Sequence, residues 1–244
     1  MHGDQIPAGA PTVDRRRALV LLGGAGLVAV AAGCSSGGSG TAAAPSAAPG
    51  TGTGPDGDGA AGAACTLTPE QTEGPYYLDD DLVRRDLTED RDGVPLALAV
   101  TVVDVDGCRP IEGAAVDVWH CDAAGVYSGV DGVAGTFLRG TQPTDASGLA
   151  EFTTIQPGWY PGRAVHIHVK VHAGGDAVHT GQLYFDEAAV AAVYEQGPYA
   201  DRGRPDTPNA RDAIFSQGGS ATVMTPTGDG SGLRAAVTLG VAPS

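Results

Sequence analysis

The sequence predicts an all-β fold, an antiparallel β-sandwich with long loops and one or two short helices. Two observations carry this prediction: runs rich in β-branched residues recur at short intervals, and Gly, Pro and Asp separate them. Short strands punctuated in this way are typical of an antiparallel sandwich. The part of the chain from residue 65 to residue 244 is long enough to bury one hydrophobic core.

Strands are predicted wherever β-branched residues cluster. The six predicted strands are 98–104, 114–120, 150–154, 164–172, 180–185 and 233–239. Asp106 and Gly107 follow the first strand and predict a turn, and so a hairpin formed with the second strand. The Ala- and Val-rich segment 187–195 predicts a short helix, and 201–215 is predicted to be a loop with room for another one.

The chain is predicted to begin with an export signal, residues 1–34. Three arginines at 15–17 precede an uncharged run, 18–32, and small residues then lead to Cys34. A basic start, a short apolar core and small residues before a cut site are typical of a secretory signal. Paired arginines predict the twin-arginine route, and the residues before Cys34 favour lipid attachment there. A retained membrane helix is the alternative, but the apolar run is short for a span.

Residues 35–64 are predicted to be a flexible tether, because they are almost wholly Gly, Ser, Ala, Thr and Pro and cannot bury enough apolar surface to order themselves. Residues 65–244 are predicted to form the folded domain. A tether after a lipidated cysteine would lift the domain away from a membrane. We therefore expect an exported protein, anchored by lipid at the outer face of the cell membrane or secreted.

The formal net charge of the chain is −15. Nucleic acids and anionic membrane surfaces attract basic proteins, so this charge argues against both as partners. We expect contact with a membrane only through a lipid anchor at Cys34.

Three cysteines lie beyond Cys34. Outside the cytoplasm a disulfide is expected, with one thiol left over. If 98–104 and 114–120 pair as a hairpin, Cys108 lies at its turn and Cys121 at its far end, too far apart for a bridge. Cys65 is then one partner of the disulfide, and its own partner is left open.

Two histidines on one predicted strand face the same way. Successive side chains of a strand alternate between faces, so His166 and His168 project to one side and Ile167 to the other. Two imidazoles at this spacing can bind one metal ion. Tyr160, just before a Pro-Gly turn, and Tyr127, in a loop after a strand, can bring phenol oxygens to the same ion. Two histidines and two phenolates suit a hard trivalent ion such as Fe(III).

Each of these residues also has a structural interpretation. A tyrosine in a β-sandwich is more often a core residue than a ligand, and a histidine pair can belong to a solvated face, which Lys170 would continue. Trp119 is expected in the core and Trp159 in the wall of a pocket. Three further histidines are expected to be structural: His120, His172 and His179. The presence of both tyrosines together with the histidine pair favours the metal site.

Seven motifs occur in a fixed order along the folded part. They are 72–77 (TEGPYY), 113–119 (GAAVDVW), 125–128 (GVYS), 139–145 (RGTQPTD), 157–161 (PGWYP), 163–168 (RAVHIH) and 180–185 (TGQLYF). In this ordered set the chain resembles the intradiol ring-cleavage dioxygenases, non-haem Fe(III) enzymes that open catechol-type rings between the two hydroxyls. The resemblance covers nearly all of 65–244 and implies that this segment is a catalytic domain.

The resemblance implies that Tyr127, Tyr160, His166 and His168 bind one Fe(III) per chain. Tyr160 would be axial and opposite His168, and a hydroxide would complete the coordination. The implied substrates are a small aromatic diol and O₂, and both oxygen atoms enter a muconate-type diacid. Tyr160 would leave the metal as the diol binds and accept one of its protons, while the hydroxide accepts the other.

The resemblance also implies residues around the bound ring. Arg163 and Gln182 match positions that face the ring, where Arg163 would stabilise an anionic ring carbon. Pro75, Tyr76 and Tyr77 resemble the segment on the far side of the substrate pocket. Together with Trp159, they are the predicted pocket residues.

The chain departs from the better-known members in two ways. Only five residues separate Tyr160 from His166, where those enzymes have a longer loop, and the tether stands where the catechol-cleaving branch has a helical dimerisation segment. The exact diol and the oligomeric state are therefore left open. The alternative functions are a non-catalytic exported β-sandwich binding module and a hydrolase that uses the histidine pair with a nearby acid.

Overall fold

A computed structural model describes residues 66–80, 82–229 and 231–243. Within these ranges ten strands form two five-stranded sheets. The strands are β1 (Pro95–Asp104), β2 (Arg109–Pro110), β3 (Ala115–Trp119), β4 (Arg139–Pro143), β5 (Leu149–Ile155), β6 (His166–Ala173), β7 (Asp176–Phe185), β8 (Val223–Met224), β9 (Thr227–Asp229) and β10 (Gly232–Val241). One α-helix, α1 (Glu187–Val190), and short 3₁₀ turns at Ala191–Glu195, Ala200–Arg202, Asn209–Arg211, Phe215–Gln217 and Gly219–Thr222 complete the described elements.

The predicted β-sandwich is confirmed, and its sheets are mixed. In the first sheet β1 lies between β10 on one side and β5 and β2 on the other, and β9 lies beyond β10. The second sheet has the order β4-β3-β6-β7-β8. Most pairs are antiparallel, but β1 with β10 and β7 with β8 are parallel. Partners so far apart in sequence are not joined by a tight turn, so no hairpin fixes their direction.

The predicted hairpin between the first two strands is wrong. β1 does turn back after Asp104, but it pairs with the two-residue strand β2, and β3 belongs to the other sheet. The turn after Asp104 was therefore predicted correctly, but the strand that pairs with β1 was not. β4 was missed because Arg139–Pro143 has almost no apolar residues. The predicted helix is confirmed: Asp186 caps α1 by accepting hydrogen bonds from two backbone amides, and the helix continues as a 3₁₀ turn.

Alternate residues of the central strands fill the space between the sheets. The inward positions of β1, β3 and β6 are at most 1 % exposed: Leu96, Leu98, Val100, Val102, Val116, Val118, Ile167, Val169 and Val171. Burial of each such side chain contributes about 1.5–3 kcal/mol. Because these residues face inward on β6, the intervening positions His166, His168 and Lys170 face the outer side of the second sheet.

Cys108 is disulfide-bonded, and Cys121 is free and buried. The two do not pair, as predicted, and the partner of Cys108 lies outside the described residues together with Cys65. The predicted signal, 1–34, and tether, 35–64, also lie outside them. None of the described helices has the length and apolar character needed to span a membrane.

Candidate metal centre

The predicted histidine pair lies on the outer face of the second sheet, yet it is buried. His166 is 3 % exposed and His168 is 1 % exposed. Trp119, the neighbour of His168 on β3, stacks on its imidazole with ring centroids 4.9 Å apart, and Gln182 is its neighbour on β7. The flanking loops and the segment before β1 cover this face, so the pair is not the solvated strand face of the alternative interpretation.

The four predicted ligands meet at one point. Nε2 of His166 lies 3.1 Å from Nε2 of His168 and 3.1 Å from the hydroxyl of Tyr160. The ring of Tyr127 lies 5.8 Å from that of Tyr160 and 6.2 Å from that of His168, between centroids. The four side chains come from β6 and two separate loops, so the tertiary fold brings them together.

The hydrogen bond of one histidine shows which nitrogen faces the shared point. Nδ1 of His166 lies 2.6 Å from the carbonyl oxygen of Ala164, which can only accept. Nδ1 therefore carries the proton, and the lone pair of Nε2 points toward His168 and Tyr160. An imidazole held in this way is typical of a metal ligand, because the second nitrogen is oriented by a backbone carbonyl.

Two buried polar atoms of the centre have no hydrogen-bond partner among the described residues. They are the hydroxyl oxygen of Tyr127 and Nδ1 of His168. A buried polar group without a partner costs about 1–3 kcal/mol, so such atoms call for an explanation. A metal ion at the shared point would account for the Tyr127 oxygen, since the ion would bind a lone pair of that oxygen.

Asp122 builds the loop that places Tyr127. Its carboxylate accepts hydrogen bonds from the backbone amides of Ala124 and Val126, at 2.9 and 3.0 Å. Gly125 completes the turn with φ +79°, a value that favours glycine. The chain leaves this turn directly into Tyr127, which is 5 % exposed.

The two tyrosine-bearing loops pack backbone against backbone through glycines. A Cβ on Gly125 would lie 2.3 Å from the carbonyl oxygen of Trp159, and one on Gly158 would lie 2.4 Å from that of Asp122. The amide of Gly158 also donates to the Asp122 carbonyl at 3.1 Å. Larger residues at either position would separate the loops and thus the two phenol oxygens.

Arg163 links the centre to its surroundings. Its Nη1 lies 3.4 Å from the hydroxyl of Tyr160, its Nη2 donates to Oε1 of Gln182, and its Nε donates to Asp212 at 2.9 Å. Gln182 is fully buried, and its amide nitrogen donates to the Thr72 carbonyl at 3.2 Å. The structure thus brings the predicted pair, Arg163 and Gln182, to the centre and adds Asp212.

A buried guanidinium joins two other parts of the site. Arg139, at the start of β4, is 4 % exposed. It donates to the carbonyl oxygen of Tyr76 at 2.6 Å and to that of Ser128 at 2.7 Å. Its guanidinium carbon lies 6.0 Å from the ring centroid of Tyr127. Arg139 therefore fastens the predicted pocket segment to the loop that carries the candidate ligand Tyr127.

The predicted pocket residues divide between two directions. Tyr76 stacks on Tyr127 with centroids 4.5 Å apart and meets Tyr160 edge-on at 6.4 Å, so it lies at the centre. Tyr77 turns away, and its hydroxyl donates to Asp117 at 3.1 Å. Pro75, which lies between Gly74 and Tyr76 in the chain, is exposed.

Gly74 leaves room for a histidine ring. Its φ is +75°, and a Cβ there would lie 3.2 Å from Cε1 of His168. This is tighter than an ordinary carbon–carbon contact, so an alanine would press on the imidazole. The segment that carries Tyr76 can approach the centre closely only because residue 74 is glycine.

Trp159 supports the Tyr160 loop from behind. Its indole nitrogen donates to the carbonyl oxygen of Gly203 at 3.1 Å, and the guanidinium of Arg202 lies 4.6 Å from its ring. It packs against the main core. The wall of the open pocket beside the centre is instead formed by Tyr76, Gly125, Val126, Tyr127, Val130, Asp131, Val133, Tyr160 and Pro161, around about 350 Å³.

Burial keeps all four candidate ligands uncharged at neutral pH. It raises the pKa of Tyr160 to about 12, although Arg163 opposes this, and it raises the pKa of Tyr127 well above the ordinary value. It also lowers the pKa of His166 to about 3 and that of His168 well below the usual range. A trivalent cation would replace the two phenol protons, so its binding would release protons and strengthen as the pH rises.

The donor set fits a ferric ion. Phenolate oxygens are hard ligands, and together with neutral imidazole nitrogens they match the preferences of iron better than those of zinc. Throughout the described ranges, no three His, Cys, Asp or Glu side chains gather where they could share a metal ion. The acid that a hydrolase would need beside the histidine pair is therefore not found among them.

Sequence reasoning missed Asp212 and gave no role to Arg139 and Gly74. The last two stand in motifs that the sequence analysis quoted, so the motifs were the available signal. Asp212 stands in a loop far from the centre in sequence, and no local pattern marks it.

A sequence model of a protein family described as "Dioxygenase" matches residues 69–194. This span contains the four candidate ligands together with Arg163 and Gln182. Catechol 1,2-dioxygenase 1 of Acinetobacter lwoffii is 39% identical over 101 residues, which are 38% of this chain and 32% of that protein. Chlorocatechol 1,2-dioxygenase of Pseudomonas sp. strain P51 is 32% identical over 136 residues, 47% of this chain and 54% of that protein. The chain thus spans between a third and about half of the length of these relatives.

Two solved structures match over most of their length. An intradiol ring-cleavage dioxygenase from Tetranychus urticae is 34% identical with a TM-score of 0.69, and the match covers 73% of this chain and 96% of that one. The dioxygenase domain of a dioxygenase carbohydrate-binding protein fusion from Streptomyces sp. SirexAA-E is also 34% identical, with a TM-score of 0.57. That match covers 73% of this chain and 100% of the domain.

Proposed function

Because this chain belongs to the family of intradiol ring-cleavage dioxygenases, we propose that it is a non-haem Fe(III) enzyme that cleaves a catechol-type aromatic ring between its two hydroxyls. O₂ is the second substrate, and both of its atoms enter a muconate-type diacid. One observation carries the proposal: two phenol oxygens and two imidazole nitrogens meet at one buried point beside an open pocket.

Tyr127, Tyr160, His166 and His168 would hold the iron. When bound, Fe(III) would supply a Lewis acid that favours the deprotonated diol and makes its ring reactive toward O₂. The protein contributes the positions of its donors, the paths of the protons and the exclusion of water.

The two tyrosines are held differently, and we assign them different roles. Tyr127 is almost fully buried between Tyr76 and His168, so we expect it to stay in place. Tyr160 is partly exposed, lines the pocket and lies in a loop that ends in a turn at Gly162. With iron bound, Tyr160 would be a phenolate, and its oxygen would accept a proton from the incoming diol. Arg163 lies close enough to stabilise the negative charge before that transfer.

The remaining side chains orient the ring. Gln182 holds the guanidinium of Arg163 from one side and Asp212 holds it from the other, so its positive charge is fixed beside the centre. Tyr76 offers an aromatic edge and face next to both tyrosine ligands. A diol that enters along the open pocket thus meets aromatic walls and one oriented cation.

The proposed reaction is tested by loading the purified protein with Fe(III) and measuring O₂ uptake with catechol. We expect one O₂ consumed per catechol, and ¹⁸O₂ should place both labelled atoms in a muconate product. Tyr160→Phe should lower the rate strongly. Tyr199→Phe, which removes a phenol oxygen that is hydrogen-bonded to Val94 and Gln156 in the core, should lower stability and leave the rate of the folded protein unchanged. Cleavage outside the two hydroxyls would contradict the proposal, and catechol binding without turnover would favour the non-catalytic module.

We also propose that the protein is exported and attached to the membrane through lipid at Cys34, or secreted. The basic and apolar pattern of residues 1–34 supports this. In cells, Cys34→Ala should move the protein from the membrane fraction to the soluble exported fraction. Replacing Arg15 and Arg16 with lysine should keep it in the cytoplasm. Retention of the wild-type protein in the cytoplasm would contradict export.

A further inference from the structure

The open pocket is continuous with the candidate metal centre. Tyr76, Tyr127 and Tyr160 belong to both, so a ring bound at the centre has its far edge in the pocket. The pocket is therefore where a substituent on the aromatic diol must lie. Its lining decides which substituents are accepted.

The side walls of this pocket are apolar. Val126, Val130, Val133 and Pro161 form them, and Val126 is 37% exposed. Asp131, at a loop tip, is the charged residue among the described lining residues. A substituent would thus contact hydrocarbon and, near the opening, a carboxylate.

Three arginines lie near the pocket without lining it, and Nη1 of one of them, Arg202, is buried with no hydrogen-bond partner among the described residues. Arg163 is paired with Asp212 and Gln182, and Arg139 is buried against the Tyr76 and Ser128 carbonyls. A third, Arg202, lies over the indole of Trp159, behind Gly125 and outside the pocket lining. None of these three faces the walls where a substituent would lie.

We infer that the site takes catechols with an uncharged, apolar side group and discriminates against catechols with a carboxylate, and that Asp131 contributes to this discrimination. The inference rests on the proposed function and specifies its substrate class. A carboxylate in this pocket would lose water without gaining a cationic partner, and Asp131 would repel it. An apolar group would instead cover exposed Val126 and contact the partly buried side chains of Val130 and Val133.

The test compares protocatechuate with its methyl ester on the Fe(III)-loaded protein. The two share the ring and nearly the same shape, but only the acid is charged. The ester withdraws electrons from the ring more strongly than a carboxylate anion, so electronic reactivity alone would favour the acid. We expect kcat/KM to be at least about tenfold higher for the ester, and the ratio to fall as salt is added.

Two charge-reversal variants test whether the selectivity between ester and acid depends on Asp131. Asp131→Lys should lower the ester-to-acid ratio at least about threefold. Asp176→Lys changes the net charge by the same amount at an exposed position on β7, away from the pocket, and should leave the ratio unchanged. Cleavage of the acid as fast as the ester, or an identical ratio in both variants, would overturn the inference. Unsubstituted catechol is the control for the proposed function, since failure to cleave it would reject that function and not the selectivity alone.

Discussion

Asp212 accepts a hydrogen bond from Nε of Arg163 at 2.9 Å, and this ion pair ties a distant loop to the candidate metal centre. Asp212 is 2% exposed and also accepts from the backbone amides of Ala164, Ile214 and Phe215. Burial raises its pKa, but the Ala164 amide and the Arg163 guanidinium outweigh burial and hold the pKa below its ordinary value. The carboxylate is thus charged and immobile, and it fixes the direction of the arginine.

We predict that Asp212→Asn lowers kcat about tenfold or more and changes KM much less. The amide can keep a backbone hydrogen bond, but it no longer holds Arg163 by charge, so the guanidinium loses its alignment with the centre. Steady-state O₂ uptake gives both constants. Asp201→Asn, at an exposed position of the same loop, is the matched control. Equal kcat values for the two variants would show that Asp212 does not position Arg163.

A second prediction concerns Arg139. Arg139→Met should lower the free energy of unfolding by about 3 kcal/mol, because it leaves the carbonyl oxygens of Tyr76 and Ser128 buried without donors. The loss should be measured by denaturant unfolding. Arg85→Met removes an arginine whose side chain is 60% exposed and should cost less than about 1 kcal/mol. Similar losses in both variants would contradict the fastening role of Arg139.

A third prediction uses two glycines with the same backbone angle. Gly74 and Gly113 both have φ +75°, but a Cβ meets His168 only at Gly74, and nothing lies within 4 Å at Gly113. Both alanine variants should lose about 1–2 kcal/mol from backbone strain. Gly74→Ala alone should also weaken Fe(III) binding at least about tenfold, because the imidazole must shift. Iron titration of the two variants checks this, and equal affinities would rule out the steric role of Gly74.

A fourth prediction concerns stability against acid. His120 is 1% exposed, contacts the Cys121 carbonyl and the Thr154 hydroxyl, and has its pKa lowered by burial to about 4. The unfolded chain takes up this proton near the ordinary histidine pKa, so the folded state loses stability as the pH falls from about 6.5 toward 4. This single group should remove about 2 kcal/mol between pH 7.5 and pH 5.

His120→Gln isolates that contribution. Glutamine does not titrate, so the stability difference between wild type and variant should shrink on acidification by the same amount. Urea unfolding at both pH values measures it. A difference that is constant with pH would mean that His120 is not held neutral by the fold.

The candidate ligands were predicted from their combination and from the ordered motifs, because no one of them is decisive alone. His166 and His168 follow from the alternation of a strand, and Tyr127 and Tyr160 stand in loops with clear turn residues. The strands rich in β-branched residues were predicted from their composition. The polar strand β4 contains no β-branched cluster and was missed.

What the sequence could not show depends on the tertiary fold. Asp212 is 49 positions from Arg163, and only packing brings them together. The assignment of β1 and β3 to different sheets is likewise decided by partners distant in sequence. Tyr77 was predicted with Tyr76, but Tyr77 follows a turn at Pro75 and Tyr76 and contacts Asp117 and Trp119, on β3.

The visible absorption spectrum of the Fe(III)-loaded protein tests most directly whether two phenol oxygens and two imidazole nitrogens bind one ferric ion. We expect a wine-red protein with a tyrosinate-to-iron charge-transfer band, weaker in Tyr127→Phe and in Tyr160→Phe and absent from the double variant. A colourless protein with one bound iron per chain, or a band that survives both substitutions, would contradict it.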